Sequence, residues 1–127
     1  MATVAGGDQP LAQPLREYSA PAQALRVGNY LGIARKAGQV AAGDLATEQA
    51  LKAGRAYLLV LAQDISAAAA KELLYMAQKQ RVPLLWWPDK ISLGLLVGKS
   101  QRGALAVLDP GFTAAILKLC EEGNHTI

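Results

Sequence analysis

Between Leu31 and Gly43 the chain reads Leu-Gly-Ile-Ala-Arg-Lys-Ala-Gly-Gln-Val-Ala-Ala-Gly. Arg35 and Lys36 close an apolar helical pattern, Gly38 turns the chain, and Gly43 stands where a second helix begins. A glycine at a helix start lets a ligand approach the backbone closely. The amide groups of the first turn, together with the positive end of the helix dipole, favour phosphate or another anion. Cations beside open amides give the chemistry of polyanion docking, with no bond made or broken, and the first expectation is a nucleic-acid partner.

Other residues with chemical potential lead elsewhere. Gly94-Leu95-Leu96-Val97-Gly98-Lys99-Ser100 resembles a phosphate loop, but that motif needs four residues between its glycines and a preceding strand. Here three intervene and the segment reads as helix, so the glycines are expected to allow close helix packing. Asp64, Asp89 and Asp109 follow strands or lie in turns, where aspartate ordinarily forms turns and caps helices. An enzyme using these three strand-end carboxylates is the weakest of the alternatives. His125 is the only histidine and Cys120 the only cysteine. They cannot supply a zinc ligand set, and Cys120, beside Leu119 in the last helix, reads as a buried thiol. No catalytic residue, metal site, cofactor or small-molecule substrate is expected. Trp86-Trp87 falls on a strand, so the two rings point to opposite faces and are expected to pack rather than to stack on bases.

The elements that must position these residues alternate. Helices are expected over 26–37, 44–53, 66–80, 91–97 and 112–122, and strands over 39–42, 57–62, 84–87 and 104–108. Tyr57-Leu58-Leu59-Val60-Leu61-Ala62 is apolar throughout, as in a strand covered on both faces. Ser66 caps the helix that follows it. Alternation of strands and helices predicts α/β architecture, a sheet sandwiched between helical layers. Residues 1–25 carry three of the six prolines, a Gly6-Gly7 pair and no sustained period. They read as a flexible N-terminal extension, followed by a folded domain at 26–122 and a frayed end at 123–127.

Charge is distributed unevenly along the 127 residues. Residues 26–119 hold twelve Lys or Arg against six Asp or Glu, a balance of +6, whereas the flanks carry −3, giving the formal net charge of +3. A basic body suits a polyanion. Apolar residues make up 52%, which excludes a globally disordered chain. No secretory pattern opens the sequence and no run of ~18 apolar residues occurs, so the cytoplasm is expected and a membrane is not.

Several segments match a known family in order and spacing. They are Leu31 to Gly38, Gly43, Ala50-Leu51-Lys52-Ala53-Gly54-Arg55-Ala56, and Leu58 to Asp64. Val82-Pro83, Leu93-Gly94, Gly98-Lys99, Arg102, Ala106 to Asp109 and Gly111-Phe112 continue the match. Over residues 26–120 the chain resembles the ribosomal protein L-seven-Ae superfamily, especially its short bacterial stand-alone members. The resemblance implies a three-layer α-β-α sandwich with a four-stranded mixed sheet. It also implies binding of structured RNA, commonly at a kink-turn, a bent helix–internal loop–helix with tandem sheared G·A pairs. Ribosomal RNA and ribosome-associated proteins are the partners it suggests.

Carried over by position, the family's contacts fall on Gly43, Asp44, Leu45, Ala46 and Gln49, and on Gly98, Lys99, Ser100, Gln101, Arg102 and Gly103. The strongest kink-turn binders of the family carry Asn-Glu at the positions of Leu45-Ala46 and Lys at that of Gln49. Asn and Glu read base edges and Lys reaches phosphate, whereas Leu and Ala do neither. The expectation is therefore recognition of backbone and shape. In that reading Arg35, Lys36 and Lys52 meet phosphates on one side, Lys99 and Arg102 meet the other strand, and Gln49 bonds a base or sugar. A protein-interaction module on the same fold is the alternative, favoured by Leu45 and Ala46.

Overall fold

The computed structural model describes residues 15–19 and 24–124. Ten elements follow in order: β1 (Glu17–Ser19), α1 (Ala24–Lys36), β2 (Val40–Ala42), α2 (Asp44–Lys52), β3 (Leu58–Ala62), α3 (Ala67–Gln80), β4 (Leu84–Trp87), α4 (Lys90–Leu96), β5 (Ala104–Val107) and α5 (Pro110–Asn124). The expected helices and four of the strands are all present, with ends shifted by a residue or two.

The five strands form one mixed sheet in the order β1-β4-β3-β5-β2. β4 is parallel to β1 and β3, whereas β5 is antiparallel to β3 and β2. Strand periodicity divides the core in two. Leu58, Val60, Leu85, Trp87, Leu105 and Val107 pack with Val27, Leu31, Leu93 and Ile116 of α1, α4 and α5. The alternate residues Leu59, Leu61, Leu84, Ala104 and Ala106 pack with Ala50, Leu51, Leu73 and Ala77 of α2 and α3. This is the α-β-α sandwich. Burial of each large side chain on either face contributes roughly 1.5–3 kcal/mol.

The sheet has five strands rather than four. β1 falls inside the segment read as a flexible extension, and it pairs Glu17 with Leu84, Tyr18 with Leu85 and Ser19 with Trp86. The Leu84 amide also donates to the Arg16 carbonyl at 2.8 Å. Three residues are too few to show a period, and their partner lies over sixty positions away, so only tertiary pairing makes them a strand. The remainder of 1–25 is largely outside the described residues, as is His125. Among the described residues no helix is long and apolar enough to cross a membrane.

The two tryptophans divide as strand geometry requires. Trp87 is buried on the α1/α4/α5 face and donates its indole N–H to Ser92 Oγ at 3.1 Å. Trp86 packs on the opposite face, half-buried, and donates to Glu17 Oε1 at 3.0 Å.

Candidate nucleic-acid interface

The register places four connections along one edge of the sheet. The carboxyl ends of β2, β3 and β4 and the amino end of β5 all emerge there, since Ala42 lies opposite Leu105, Leu61 opposite Ala104, and Ala62 opposite Trp87. Gly43, the 63–66 loop, Asp89-Lys90 and the 98–103 loop therefore share a border.

The loop before β5 is held there by close approaches. It doubles back onto α4, where a Cβ on Gly94 would stand 2.6 Å from Gln101 Cα. The Lys99 amide donates to the Gly94 carbonyl at 2.8 Å, and the Arg102 amide to the Lys90 carbonyl at 3.1 Å. Gly103 lies against Ile65, whose Cγ1 would be 2.9 Å from an added Cβ. Gly94 thus permits tight packing as expected from its spacing, although the partner is the chain's own loop rather than another helix.

Two arginine side chains tie this loop to its neighbours, one to Gly43 and one to α1. The Arg102 side chain crosses Gly43, with Nε 3.6 Å and Cδ 3.7 Å from where a Cβ would be, and its Nη1 donates to the Gln101 carbonyl at 2.7 Å. Farther along, the Arg35 guanidinium rests on Gly98, with Cζ 3.3 Å from the equivalent position. Gly43 has φ +102° and Gly98 φ +70°, conformations that a Cβ penalises. Arg102 is thereby set on Gly43, and Arg35 on Gly98 four residues earlier in the same loop.

The start of α2 differs from those of the later helices. α3 is capped by Ser66 Oγ, which accepts from Ala69. α4 is capped by Asp89, which accepts from Ser92 at 2.7 Å, and Asp109 accepts from the Phe112 amide at 2.8 Å at the start of α5. α2 begins at Gly43 with no side-chain cap. The Gly43 amide is engaged by the Ala104 carbonyl at 2.9 Å, and the Gly43 carbonyl takes the Thr47 amide. The amides of Asp44, Leu45 and Ala46 make no bond among the described residues. They are the open first-turn donors of this edge.

Around these amides, Asp44 and Leu45 are exposed and Ala46 is half-buried. Leu45 and Gln49 share a helix face, being four apart, and both are exposed. Lys36, Lys99, Ser100 and Gln101 are exposed, and none of the four side chains has a hydrogen bond or ion pair among the described residues. The edge also carries Lys90, half-buried, which the sequence reading did not single out; its position after the β4 turn aspartate was the available signal. Asp64 accepts from the Lys90 amide at 2.9 Å. Asp64, Asp89 and Asp109 thus serve turns and caps.

Lys52 does not join the cluster. It closes α2, roughly 13.5 Å along the axis from Gly43 at 1.5 Å per residue. Its ammonium pairs with Glu48 at 2.8 Å, and the hydrogen bond and charge of Glu48 raise its pKa above the usual lysine value. Its neighbours are Glu72, Tyr75 and Met76 of α3. Cys120 is buried, and desolvation pushes its thiol up to about 11. No group of three or more His, Cys, Asp or Glu able to hold a metal occurs among the described residues.

An α-β-α sandwich whose 98–103 loop meets the uncapped start of α2 at one sheet edge defines the class. Residues 26–117 match the ribosomal protein L7Ae/L30e/S12e/Gadd45 family, and the chain belongs to it. It is 30% identical over 91 residues to the RNA-binding protein YlxQ of Bacillus subtilis, covering 72% of this chain and 91% of that one. It is 33% identical over 97 residues to the large ribosomal subunit protein eL30 of Pyrobaculum calidifontis, covering 75% and 95%. A solved structure of a Bacillus halodurans protein described as of unknown function superposes with a TM-score of 0.71 at 26% identity, covering 76% of this chain and 97% of that one.

Proposed function

We propose that this protein binds structured RNA without catalysis, in the cytoplasm, docking a kink-turn-like or ribosomal RNA along the edge built by the start of α2 and the 98–103 loop. The open amides of Asp44 to Ala46, with Arg102 over Gly43 and Arg35 over Gly98, carry this reading. In water these donors stay solvated; against RNA they meet phosphate oxygens, where helix-end amides and dipole favour negative charge. Lys36, Lys99 and Arg102 add phosphate contacts, and Gln49 supplies one side-chain amide to a base edge or sugar. Relatives named as an RNA-binding protein and a ribosomal protein support the partner class. The side chains of Leu45 and Ala46 cannot accept or donate, so recognition rests on backbone and shape.

The test is binding of a kink-turn hairpin and of ribosomal RNA fragments across a salt series, with the Lys99→Glu/Arg102→Glu double variant beside the wild type. Loss of two phosphate contacts weakens affinity for every RNA and lowers the salt slope by about two, one per contact. Equal affinity of the two proteins at all salt concentrations removes the loop from the interface.

The second reading is a protein-docking module, and it has one observation behind it: Leu45 is 67% exposed at the helix start. It predicts no binding to any RNA of the panel, and a protein complex that Leu45→Asp disrupts.

A further inference from the structure

The contact between Arg35 and Gly98 has a definite orientation. From the position a Cβ on Gly98 would occupy, Arg35 Cζ is 3.3 Å away, Nη2 3.4 Å and Nη1 3.5 Å. A point in the guanidinium plane would be nearer a nitrogen than the central carbon. Three nearly equal distances with the carbon nearest place the point over the flat face. One face of the cation therefore rests on the glycine, which has no Cβ to displace it. Arg35 is nevertheless exposed, and it makes no hydrogen bond or ion pair among the described residues. The planar group lies against backbone on one side, and the side chain is exposed.

Most of the other planar groups lie elsewhere. Both indoles are engaged inside the fold by Ser92 and Glu17. Tyr57 and Phe112 lie at the opposite edge of the sheet, before β3 and after β5, and Tyr75 lies on α3 under Lys79. At the α2/98–103 edge the other flat π group is the Arg102 guanidinium, which is half-buried and tied by Nη1 to the Gln101 carbonyl at 2.7 Å, whereas that of Arg35 makes no hydrogen bond among the described residues. Leu95, 68% exposed one turn before Gly98, adds an apolar shoulder; its carbonyl accepts the Gly98 amide at 3.2 Å. Unpaired RNA bases stack on aromatic rings or on arginine planes, and an arginine already pinned on one face loses less freedom on binding.

We infer that Arg35 is the stacking platform for an unpaired nucleobase of the bound RNA, rather than one more phosphate contact. This assignment rests on the RNA-binding reading above and names the feature of the RNA that the site selects: a nucleotide freed from its helix beside the docked backbone. A phosphate contact requires only charge and is met by lysine. A stacked base requires the plane, which lysine lacks.

The experiment is a cycle between protein and RNA variants. The wild type, Arg35→Lys and Arg35→Ala are titrated with a kink-turn hairpin and with versions in which each unpaired nucleotide in turn is made abasic. Base stacking predicts that Arg35→Ala weakens binding about tenfold and that Arg35→Lys is nearly as weak, with the salt slope of Arg35→Lys unchanged. One abasic position then costs the wild type a similar factor and costs Arg35→Ala nothing. Equal melting temperatures for the three proteins exclude misfolding as the cause. Wild-type affinity in Arg35→Lys, or abasic losses that add to that of Arg35→Ala at every position, overturns the assignment while leaving RNA binding intact. Failure of the wild type to bind any RNA overturns both.

Discussion

The packing of the 98–103 loop against α4 makes opposite predictions for the same substitution at two helical glycines. Gly32 lies in the interior of α1, and an added Cβ would meet only the Leu96 carbonyl oxygen at 3.6 Å, an ordinary contact. Gly32→Ala therefore gains helix propensity of about 1 kcal/mol. At Gly94 the same methyl would stand 2.6 Å from Gln101 Cα, 2.9 Å from its nitrogen and 3.0 Å from its carbonyl carbon. All three are backbone atoms, which cannot rotate away as a side chain would. Overpacking of this kind costs about 3 kcal/mol; with about 1 kcal/mol regained from propensity, the net loss is about 2 kcal/mol. For a folded body of this size that is a fall of about 8 °C in melting temperature, against a rise of about 4 °C for Gly32→Ala. Differential scanning calorimetry and urea titration measure both. The loop must move to admit the Gly94 methyl, so Lys99 and Arg102 leave register and RNA affinity falls with stability, whereas Gly32→Ala leaves affinity unchanged. A Gly94→Ala protein as stable as the wild type would refute the reasoning, because it would mean the loop does not rest on α4.

Two further predictions concern the interior. Cys120 ionises near 9.0 when unfolded and near 11 when folded, so above pH 9 the unfolded chain sheds a proton that the folded one keeps. Stability is complete below pH 9 and falls as pH rises from about 9 through 11; Cys120→Ala flattens this part of the urea-midpoint profile, and native protein resists alkylation at pH 8. The Thr113 hydroxyl is buried in α5 without a hydrogen-bond partner among the described residues. Thr113→Val replaces it by a methyl of the same shape and stabilises by about 1 kcal/mol, read as a higher urea midpoint at constant slope.

What the sequence disclosed follows the range of the forces involved. β3 was legible because five consecutive apolar residues have no soluble alternative to burial on both faces. Ser66 and Asp89 were legible as turn and cap residues because capping acts within three positions. Gly43 was legible as an open helix start, since it replaces the residue types that normally close one. β1 was not, because its hydrogen bonds are made with Leu84 to Trp86, far along the chain. The fold-back of the loop onto Gly94, the Arg102 side chain over Gly43 and the face of Arg35 on Gly98 are likewise products of tertiary approach, and no spacing in the sequence encodes them. Lys52, expected among the phosphate-contacting cations, has its Glu48 partner four residues earlier, which was readable as an ordinary helix pair.

The pairing of Glu17–Ser19 onto β4 also gives the sheet a guard. β4 is rich in Leu and Trp, and a bare parallel border of that composition recruits neighbouring chains. Residues ahead of the first helix occupy that border and add Glu17 to its rim. A version trimmed to begin at α1 would retain both halves of the interior and the whole edge at α2 and the 98–103 loop, yet lose its defence against self-association.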